Sequence, residues 1–234
     1  DVSKQNAFKQ ALKTLPLYLV QGPPGVGKTY LVTTLVLQAF LGEPNSRLLL
    51  TAQSHSAVFH LYKEVEKALG VNRNQNYPPL IVNCIKDKSL DGDSDSMAQL
   101  DSLARENLVA LTQSELFRTA SSDSLKANIK ELTKPSNRSG RYSLMNQILR
   151  SANLVFATTN SGQVESLIKS RSQFDWSIME ETGKVTGIEL LSPLLLSYRR
   201  LMIGDHKQLP PYESEKMRQL VGDVNRLKGA IKLS

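Results

Sequence analysis

Cysteine is nearly absent from this chain of 234 residues, in which Cys84 stands alone. A single thiol cannot form an intramolecular disulfide, and no neighbouring Cys or His gives it the spacing of a zinc site. The sequence also lacks a run of about 18 apolar residues, the minimum for a membrane-spanning helix, and its polar first residues do not form a secretory signal. These absences lead us to expect no membrane association and an intracellular, cytoplasmic protein, or a nuclear one if the source is eukaryotic.

Acidic residues are outnumbered, since 29 Lys and Arg against 22 Asp and Glu give a formal net charge of +7. Positive charge favours an anionic partner, and nucleic acid is the first candidate. The basic residues are dispersed along the chain, so an ordinary solvated surface is an equally good interpretation of the charge alone. With 40% apolar and 22% charged residues, the composition is that of a globular domain with a substantial core.

Short apolar segments alternate with longer amphipathic ones at both ends of the sequence. This alternation predicts an α/β fold in which helices flank a parallel sheet. We predict buried strands over residues 15–21, 47–52, 80–85, 154–158, 176–180 and 200–203, and helices over residues 28–41 and 54–69. Between residues 86 and 150 the composition becomes polar, with amphipathic segments at 98–116, 124–132 and 142–149. The predicted organisation is a core of residues 1–85 and 151–234 with a helical insertion subdomain over residues 86–150.

The most specific motif is G-x-x-x-x-G-K-T at residues 22–29, between a predicted strand and a predicted helix. Glycines in such a loop let backbone N–H groups surround phosphate oxygens, and the following helix N-terminus adds a favourable dipole. Lys28 is expected to reach the β- and γ-phosphates during catalysis, and the Thr29 hydroxyl to bind Mg²⁺. We assign nucleotide contacts to Gly22, Pro23, Pro24, Gly25, Val26, Gly27, Lys28, Thr29 and Tyr30.

Two adjacent carboxylates, Glu180 and Glu181, follow the apolar segment at residues 174–179. Carboxylates at the end of a buried strand are costly to desolvate without a cation. One carboxylate of such a pair can hold Mg²⁺ while its neighbour polarises the attacking water. We predict that Glu180 binds the metal and that Glu181 is catalytic, with a solvated surface pair as the alternative.

The strand predicted at residues 200–203 leads into G-D-H-K-Q-L-P-P at residues 204–211. With the preceding motifs, this segment resembles motif III of superfamily 1 helicases. The resemblance implies that Gln208 senses the γ-phosphate and that Asp205 helps to connect nucleotide state to the bound strand. Gln5 and Phe8 are similar to the Q motif of the same family, whose glutamine recognises adenine. The resemblance therefore implies ATP as the nucleotide.

Two further segments resemble motifs that contact the nucleic-acid backbone. Residues 51–58 are similar to motif Ia, whose small and hydroxylated residues approach phosphates, and residues 158–161 end a later strand in the same way. For residues 158–161 a helix N-cap is an equally good interpretation. The resemblance implies contacts between single-stranded nucleic acid and Thr51, Ala52, Ser54, His55 and Thr159.

The order and spacing of these motifs resemble the branch of superfamily 1 typified by the nonsense-mediated decay RNA helicase. The resemblance implies a RecA-like P-loop NTPase core and an ATP-dependent helicase or translocase that moves 5′-to-3′ along single-stranded RNA or DNA. It also implies a second RecA-like domain in the same longer chain, whose arginines complete the ATP cleft. Because such arginines contribute about 10³ to 10⁵ in rate to comparable reactions, we expect slow hydrolysis by the present domain alone.

Glu180 departs from the family pattern, in which aspartate occupies the metal position. The extra methylene changes how the carboxylate can meet the octahedral geometry of Mg²⁺, so weakened hydrolysis is one expectation. An ATP-gated nucleic-acid clamp or sensor with weak hydrolysis is therefore an alternative function. A P-loop ATPase of another class, such as a protein-remodelling AAA+ enzyme, is the other alternative.

Overall fold

Parallel backbone hydrogen bonding joins six strands into one sheet in a computed structural model that describes residues 2–23, 25–71, 78–85, 97–205, 207 and 219. Pro24 and Gln208, which are predicted site residues, lie outside the described residues, as do residues 86–96 of the predicted insertion. The strands are β1 (Leu17–Gln21), β2 (Leu48–Ala52), β3 (Ile81–Asn83), β4 (Leu154–Thr158), β5 (Phe174–Met179) and β6 (Ser197–Gly204).

Helices precede, connect and cover these strands. In the described residues, the α-helices are α1 (Val2–Lys13), α2 (Lys28–Gly42), α3 (His55–Val71), α4 (Ala98–Gln113), α5 (Glu115–Thr119), α6 (Asp123–Leu132), α7 (Tyr142–Ser151), α8 (Gly162–Lys169) and α9 (Gly187–Leu195). Short 3₁₀ turns lie at Ser139–Arg141 and Thr182–Lys184. Helices α2, α3, α4, α6 and α7 occupy the segments in which the sequence predicts helices, whereas α1, α8 and α9 are not predicted by it. None of the described helices has the length and apolarity needed to cross a membrane.

The sheet order is β1-β6-β5-β2-β4-β3, and every neighbouring pair is parallel. This arrangement confirms the predicted α/β class with a parallel sheet flanked by helices. Parallel strands end at a common edge, so the segments that follow β1, β2, β4, β5 and β6 emerge on the same side of the sheet. Four of the predicted site residues, Lys28, Thr29, Glu180 and Glu181, meet at that edge.

The sheet separates two hydrophobic clusters. Along β2, Leu48 and Leu50 face the cluster that includes α2 and α3, while Leu49 between them faces the cluster that includes α4, α7 and α8. All three side chains are fully buried. A strand that is covered on both faces needs an unbroken apolar sequence, which is why the central strands are visible as short apolar runs.

The prediction of a buried strand over residues 15–21 is wrong about burial. In the described residues, β1 is an edge strand that pairs with β6. Leu15 and Leu19 are 60% and 64% exposed. An apolar run indicates a strand whether or not a further element covers it. The strand's position in the sheet is therefore a property of the tertiary structure.

Helices α4 to α7 form the predicted helical segment, with bounds close to those expected. The helix α7 also contributes Met145 and Leu149 to the cluster that contains Val155 of β4. The limits of the insertion at residues 86 and 150 therefore stay a prediction, because α7 shares a core with the sheet.

Arg141 connects α4 to the end of α6 from the interior of this helical segment. Its side chain is 1% exposed, and it binds Asp101 bidentately through Nε at 2.8 Å and Nη2 at 2.9 Å. It also donates Nη1 hydrogen bonds to the carbonyl oxygens of Leu132 and Lys134, at 2.7 and 2.6 Å. The buried guanidinium therefore has both a counter-charge and backbone acceptors.

We expect Arg141→Ala to lower the free energy of unfolding by about 3 kcal/mol, because the substitution leaves Asp101 and two carbonyl groups without their partner. Chemical denaturation followed by circular dichroism measures this change. Arg105→Ala is the control, since Arg105 is exposed on α4 and its removal is expected to change stability by less than about 0.5 kcal/mol. Equal stability of the two variants would contradict the structural role of Arg141.

Candidate nucleotide-binding site

A cavity of about 450 Å³ opens beside residues 22–29, at the edge where the parallel strands end. Four separate parts of the chain line it: the loop and first turn of α2, the helix α3, the residues after β5, and the end of β6. The lining residues are Gly25, Gly27, Lys28, Thr29, Ala57, His60, Glu180, Glu181, Ile203, Gly204 and Asp205. The predicted phosphate loop and the predicted carboxylate pair thus share one cavity.

The loop adopts a backbone conformation that depends on glycine. Gly25 and Gly27 have φ angles of 80° and 86°, in the left-handed region that other residues adopt only at a cost. Gly27 is also the residue before α2, whose first-turn N–H groups have no acceptor within the helix. Backbone donors at a helix N-terminus favour an anion.

Lys28 lies across this loop. Its Nζ donates hydrogen bonds to the carbonyl oxygens of Gly22 at 2.7 Å and Pro23 at 2.9 Å. Gly22 itself is tightly packed, because a Cβ at this position would lie 2.8 Å from Cγ2 of Val26. The ammonium group is therefore held next to the glycine-rich backbone and beside the cavity.

Glu180 is a largely buried carboxylate that lines the cavity. Burial raises its pKa; the nearby His60 opposes that shift, the adjacent Glu181 carboxylate adds to it, and Lys28 and Thr29 also oppose it. Its Oε1 is buried and has no hydrogen-bond partner. A buried, unpartnered carboxylate oxygen beside a threonine hydroxyl is suited to a hard cation.

Glu181 has a backbone conformation that is uncommon outside glycine. Its φ and ψ angles are 54° and 31°, and such left-handed residues cost about 1–3 kcal/mol and cluster at functional sites. The Oε1 atom of Glu181 is 2.8 Å from Nζ of Lys184, in the 3₁₀ turn that follows. The ion pair fixes the carboxylate at the cavity next to Glu180.

The turn after Glu181 packs directly against the end of β6. A Cβ on Gly183 would lie 2.6 Å from the carbonyl oxygen of Asp205, and a Cβ on Gly204 would lie 2.6 Å from the Thr182 hydroxyl oxygen and 3.0 Å from the Gly183 nitrogen. Neither glycine can acquire a side chain without movement of the backbone. Residues after β5 and β6 are therefore held together at the cavity.

Several predicted nucleotide contacts lie outside the cavity lining. Val26 and Tyr30 are 42% and 66% exposed, and Gln5 is an exposed residue of α1. The cavity has the position of a phosphate site, whereas Gln5 is predicted to recognise adenine. The roles of these three residues stay predictions.

The predicted nucleic-acid contacts lie at the end of β2 and just after β2 and β4. The backbone N–H of Thr159 donates to the carbonyl of Ala52 at 3.1 Å, so the two segments are neighbours. Thr51, Ala52 and Thr159 are at most 1% exposed, so their side chains face the interior. The contacts of all five predicted residues remain predictions, and Ser54 and His55 are the two with partly exposed side chains.

His60 is a cavity residue that the sequence does not single out. Its spacing from the other histidines excludes a metal-ligand motif, and no chemical pattern surrounds it. The signal is structural: Ala57 and His60 are three residues apart, so a helix that starts at His55 places them on one face. That face of α3 borders the nucleotide cavity.

A phosphate loop after β1, a carboxylate pair after β5 and an all-parallel sheet define a P-loop nucleoside triphosphatase. The family model described as "AAA domain" matches residues 1–91 and 80–213. The chain belongs to this family, which is a superfamily 1 helicase domain, and the resemblance seen in the sequence is confirmed.

Several known helicases and a DNA-binding protein align with nearly the whole chain. DNA-binding protein SMUBP-2 of Rattus norvegicus is 24% identical over 90% of the chain and 22% of the relative. DNA replication ATP-dependent helicase/nuclease DNA2 of Bos taurus is 27% identical over 89% of the chain and 16% of its own length. DNA polymerase alpha-associated DNA helicase A of Schizosaccharomyces pombe is 26% identical over 92% of the chain and 33% of its own length. The chain spans about a third or less of the length of each relative.

In the absence of nucleotide and metal, we expect the Glu180→Gln variant to become more stable than the wild type as the pH rises. Because the folded-state pKa of Glu180 lies above its ordinary value, its contribution to stability is present below the unfolded-state pKa and is lost as the pH rises through the folded-state pKa. Glutamine keeps the shape and removes the charge. Thermal unfolding across this pH range should show a steeper loss of Tm for the wild type, and parallel curves would contradict this prediction.

Proposed function

We propose that this domain binds ATP with Mg²⁺ and couples ATP hydrolysis to movement along single-stranded nucleic acid. The observation that carries the proposal is the meeting of Lys28, Thr29, Glu180 and Glu181 at one cavity on the carboxyl edge of the sheet. The relatives, which include an ATP-dependent helicase/nuclease and a DNA helicase, support this function.

The phosphate groups of ATP are proposed to bind between the loop and the first turn of α2. Backbone N–H groups around Gly25 and Gly27 and the helix N-terminus supply donors. Lys28 is already beside the loop, and its ammonium group exchanges the carbonyl oxygens of Gly22 and Pro23 for phosphate oxygens. Gln5 is proposed to recognise adenine, as the family resemblance implies.

Thr29 and Glu180 are the residues proposed to hold Mg²⁺. A hydroxyl and a carboxylate are donors that this ion prefers, and the buried, unpartnered Oε1 of Glu180 fits such a role. The described residues contain no group of three or more His, Cys, Asp or Glu that could hold a metal, which agrees with an ion bound mainly through phosphates and water. When bound, Mg²⁺ supplies charge neutralisation for the phosphates.

Glu181 is proposed to accept a hydrogen bond from the attacking water, next to the γ-phosphate. The ion pair with Lys184 orients its carboxylate, and the left-handed backbone turns the side chain to the cavity next to Glu180. Gln208 is proposed to sense the γ-phosphate, as the family resemblance implies. Residues of a second RecA-like domain in a longer chain are proposed to complete the cleft.

Backbone hydrogen bonds provide a route from the nucleotide to the bound strand. The N–H of Glu180 donates to the carbonyl of Thr51 at 2.8 Å, two residues before the loop that starts α3. Ser54 caps this helix by accepting the N–H of Ala57 at 3.2 Å. A shift of Glu180 on nucleotide binding is therefore proposed to reach Ser54 and His55, which are the residues proposed to contact the strand. An intracellular location and 5′-to-3′ movement complete the proposal.

Lys28→Ala in the full-length protein is expected to reduce ATP hydrolysis in the presence of single-stranded nucleic acid by about 10²-fold or more, because it removes the cation that stabilises transferred charge. Steady-state phosphate release measures this loss. Lys130→Ala removes an equal charge from exposed α6 and should leave turnover unchanged. Undiminished turnover in Lys28→Ala would refute the proposed site.

Glu181→Gln is expected to retain ATP affinity within about threefold and to lower the hydrolysis rate by about 10²- to 10⁴-fold, the contribution typical of a positioned base. ATP binding by calorimetry and single-turnover hydrolysis separate the two effects. A comparable loss of affinity would show that Glu181 binds nucleotide instead.

The clamp alternative is favoured by one observation, the glutamate at position 180 where the family has aspartate. Single-strand affinity measured with and without a non-hydrolysable ATP analogue, beside steady-state turnover in the wild type, distinguishes the two functions. A motor shows nucleotide-dependent affinity together with stimulated turnover. Nucleotide-dependent affinity without turnover would support the clamp and overturn the motor.

A further inference from the structure

A second polar cavity, of about 450 Å³, lies at the opposite edge of the sheet from the nucleotide cavity. Arg47 directly precedes β2, Arg150 lies in the last turn of α7 shortly before β4, and Arg171 lies in the turn before β5. Because β2, β4 and β5 are parallel and adjacent, their amino ends lie side by side. The fold therefore gathers three arginines from distant parts of the sequence.

Arg47 is fixed in the floor of this cavity. Its Nε donates to the carbonyl oxygen of Ala152 at 3.2 Å and its Nη1 to that of Gln173 at 2.8 Å. The guanidinium carbon lies 4.5 Å from the centre of the Phe174 ring, a distance at which the ring face attracts a cation. The position of this charge is set by the starts of β4 and β5.

The charge of Arg47 is incompletely matched. Its Nη2 is buried and has no hydrogen-bond partner, which is unfavourable for a charged donor. Burial lowers the pKa of the guanidinium; Asp175 opposes this shift, and the nearby Arg150 adds to it. The Asp175 carboxylate accepts a hydrogen bond from the backbone N–H of Arg47, at 2.8 Å, and so lies beside the residue.

Arg150 and Arg171 are exposed at the rim of the cavity. Within the described ranges, neither side chain takes part in an ion pair, and neither does Arg47. Ser151 and Ser172 add hydroxyl groups to the lining. Three positive charges with one nearby carboxylate leave a net positive charge. The guanidinium groups repel one another, and together they attract an anion of more than one charge.

We propose that this cavity binds a phosphate group, with Arg150 and Arg171 contacting its oxygens and Arg47 supplying positive charge from the floor. Guanidinium groups offer forked donors that match phosphate oxygens, and the hydroxyl of the exposed Ser151 can donate as well. The group is either inorganic phosphate or a phosphate of a nucleic-acid backbone, since both present the same oxygens. The site is separate from the nucleotide cavity, and the inference does not depend on motor activity.

Titration of the full protein with inorganic phosphate at low salt tests the first source. Measurements are made in a Lys28→Ala background, which weakens phosphate binding by the nucleotide loop. We expect binding in this background and a loss of affinity of tenfold or more on adding Arg150→Ala and Arg171→Ala. Adding Arg105→Ala and Lys130→Ala instead removes two exposed charges elsewhere and should change the affinity by less than twofold. Arg47 is left intact because its contacts hold strand ends together.

Titration with a single-stranded oligonucleotide, in the otherwise wild-type protein, tests the second source. If a backbone phosphate occupies the cavity, the Arg150→Ala, Arg171→Ala double variant binds the oligonucleotide more weakly. The slope of log K against log salt concentration also becomes less steep by roughly 0.7, the contribution of one phosphate contact on a single strand. The Arg105 and Lys130 pair leaves both quantities unchanged. Either result supports the site. Unchanged affinity for both inorganic phosphate and oligonucleotide in the Arg150 and Arg171 variant overturns it.

Discussion

Parallel hydrogen bonding between β1, β6, β5 and β2 is the constraint on which the remainder of this molecule depends. Because the four strands run in one direction, the loop after β1, the carboxylates after β5 and the Gly-Asp segment after β6 leave the sheet at one edge. Helix α3, which follows β2, closes the cavity from the fourth side. An antiparallel partner at any of these positions would move one of the groups to the other edge of the sheet.

Within this frame, the burial of Glu180 sets the character of the site. A carboxylate beside Glu181 and away from water is unfavourable by itself, and Lys28 and Thr29 only partly oppose that cost. The surrounding packing holds the group in place, since Gly183 and Gly204 admit no side chain between the two loops. In the proposed function, this unfavourable burial is offset when Mg²⁺ binds the carboxylate. The backbone N–H of Glu180 donates to the carbonyl oxygen of Thr51, and the proposed coupling of the metal position to α3 uses this hydrogen bond.

The two edges of the sheet have opposite chemical tasks in the proposals made for this domain. At the carboxyl edge, glycine backbone and carboxylates face each other across a cavity, which suits a metal–triphosphate complex. At the amino edge, Arg47, Arg150 and Arg171 share a cavity with a single nearby carboxylate, which suits an anion alone. Both cavities use residues that lie just outside strands, because strand ends are where a buried sheet can present polar groups without disturbing its core.

Local sequence determined the fold class and the phosphate loop, because apolar runs and the glycine pattern at residues 22–29 act through nearby backbone alone. The pair Glu180 and Glu181 was equally visible, since it directly follows an apolar strand. Tertiary structure alone decided that β1 lies at the sheet edge, that His60 borders the nucleotide cavity, that Thr51 and Thr159 are buried, and that three distant arginines meet. These features depend on which strands are neighbours, and strand order arises from packing between segments that can lie far apart in the sequence, as Leu17 of β1 and Arg200 of β6 do.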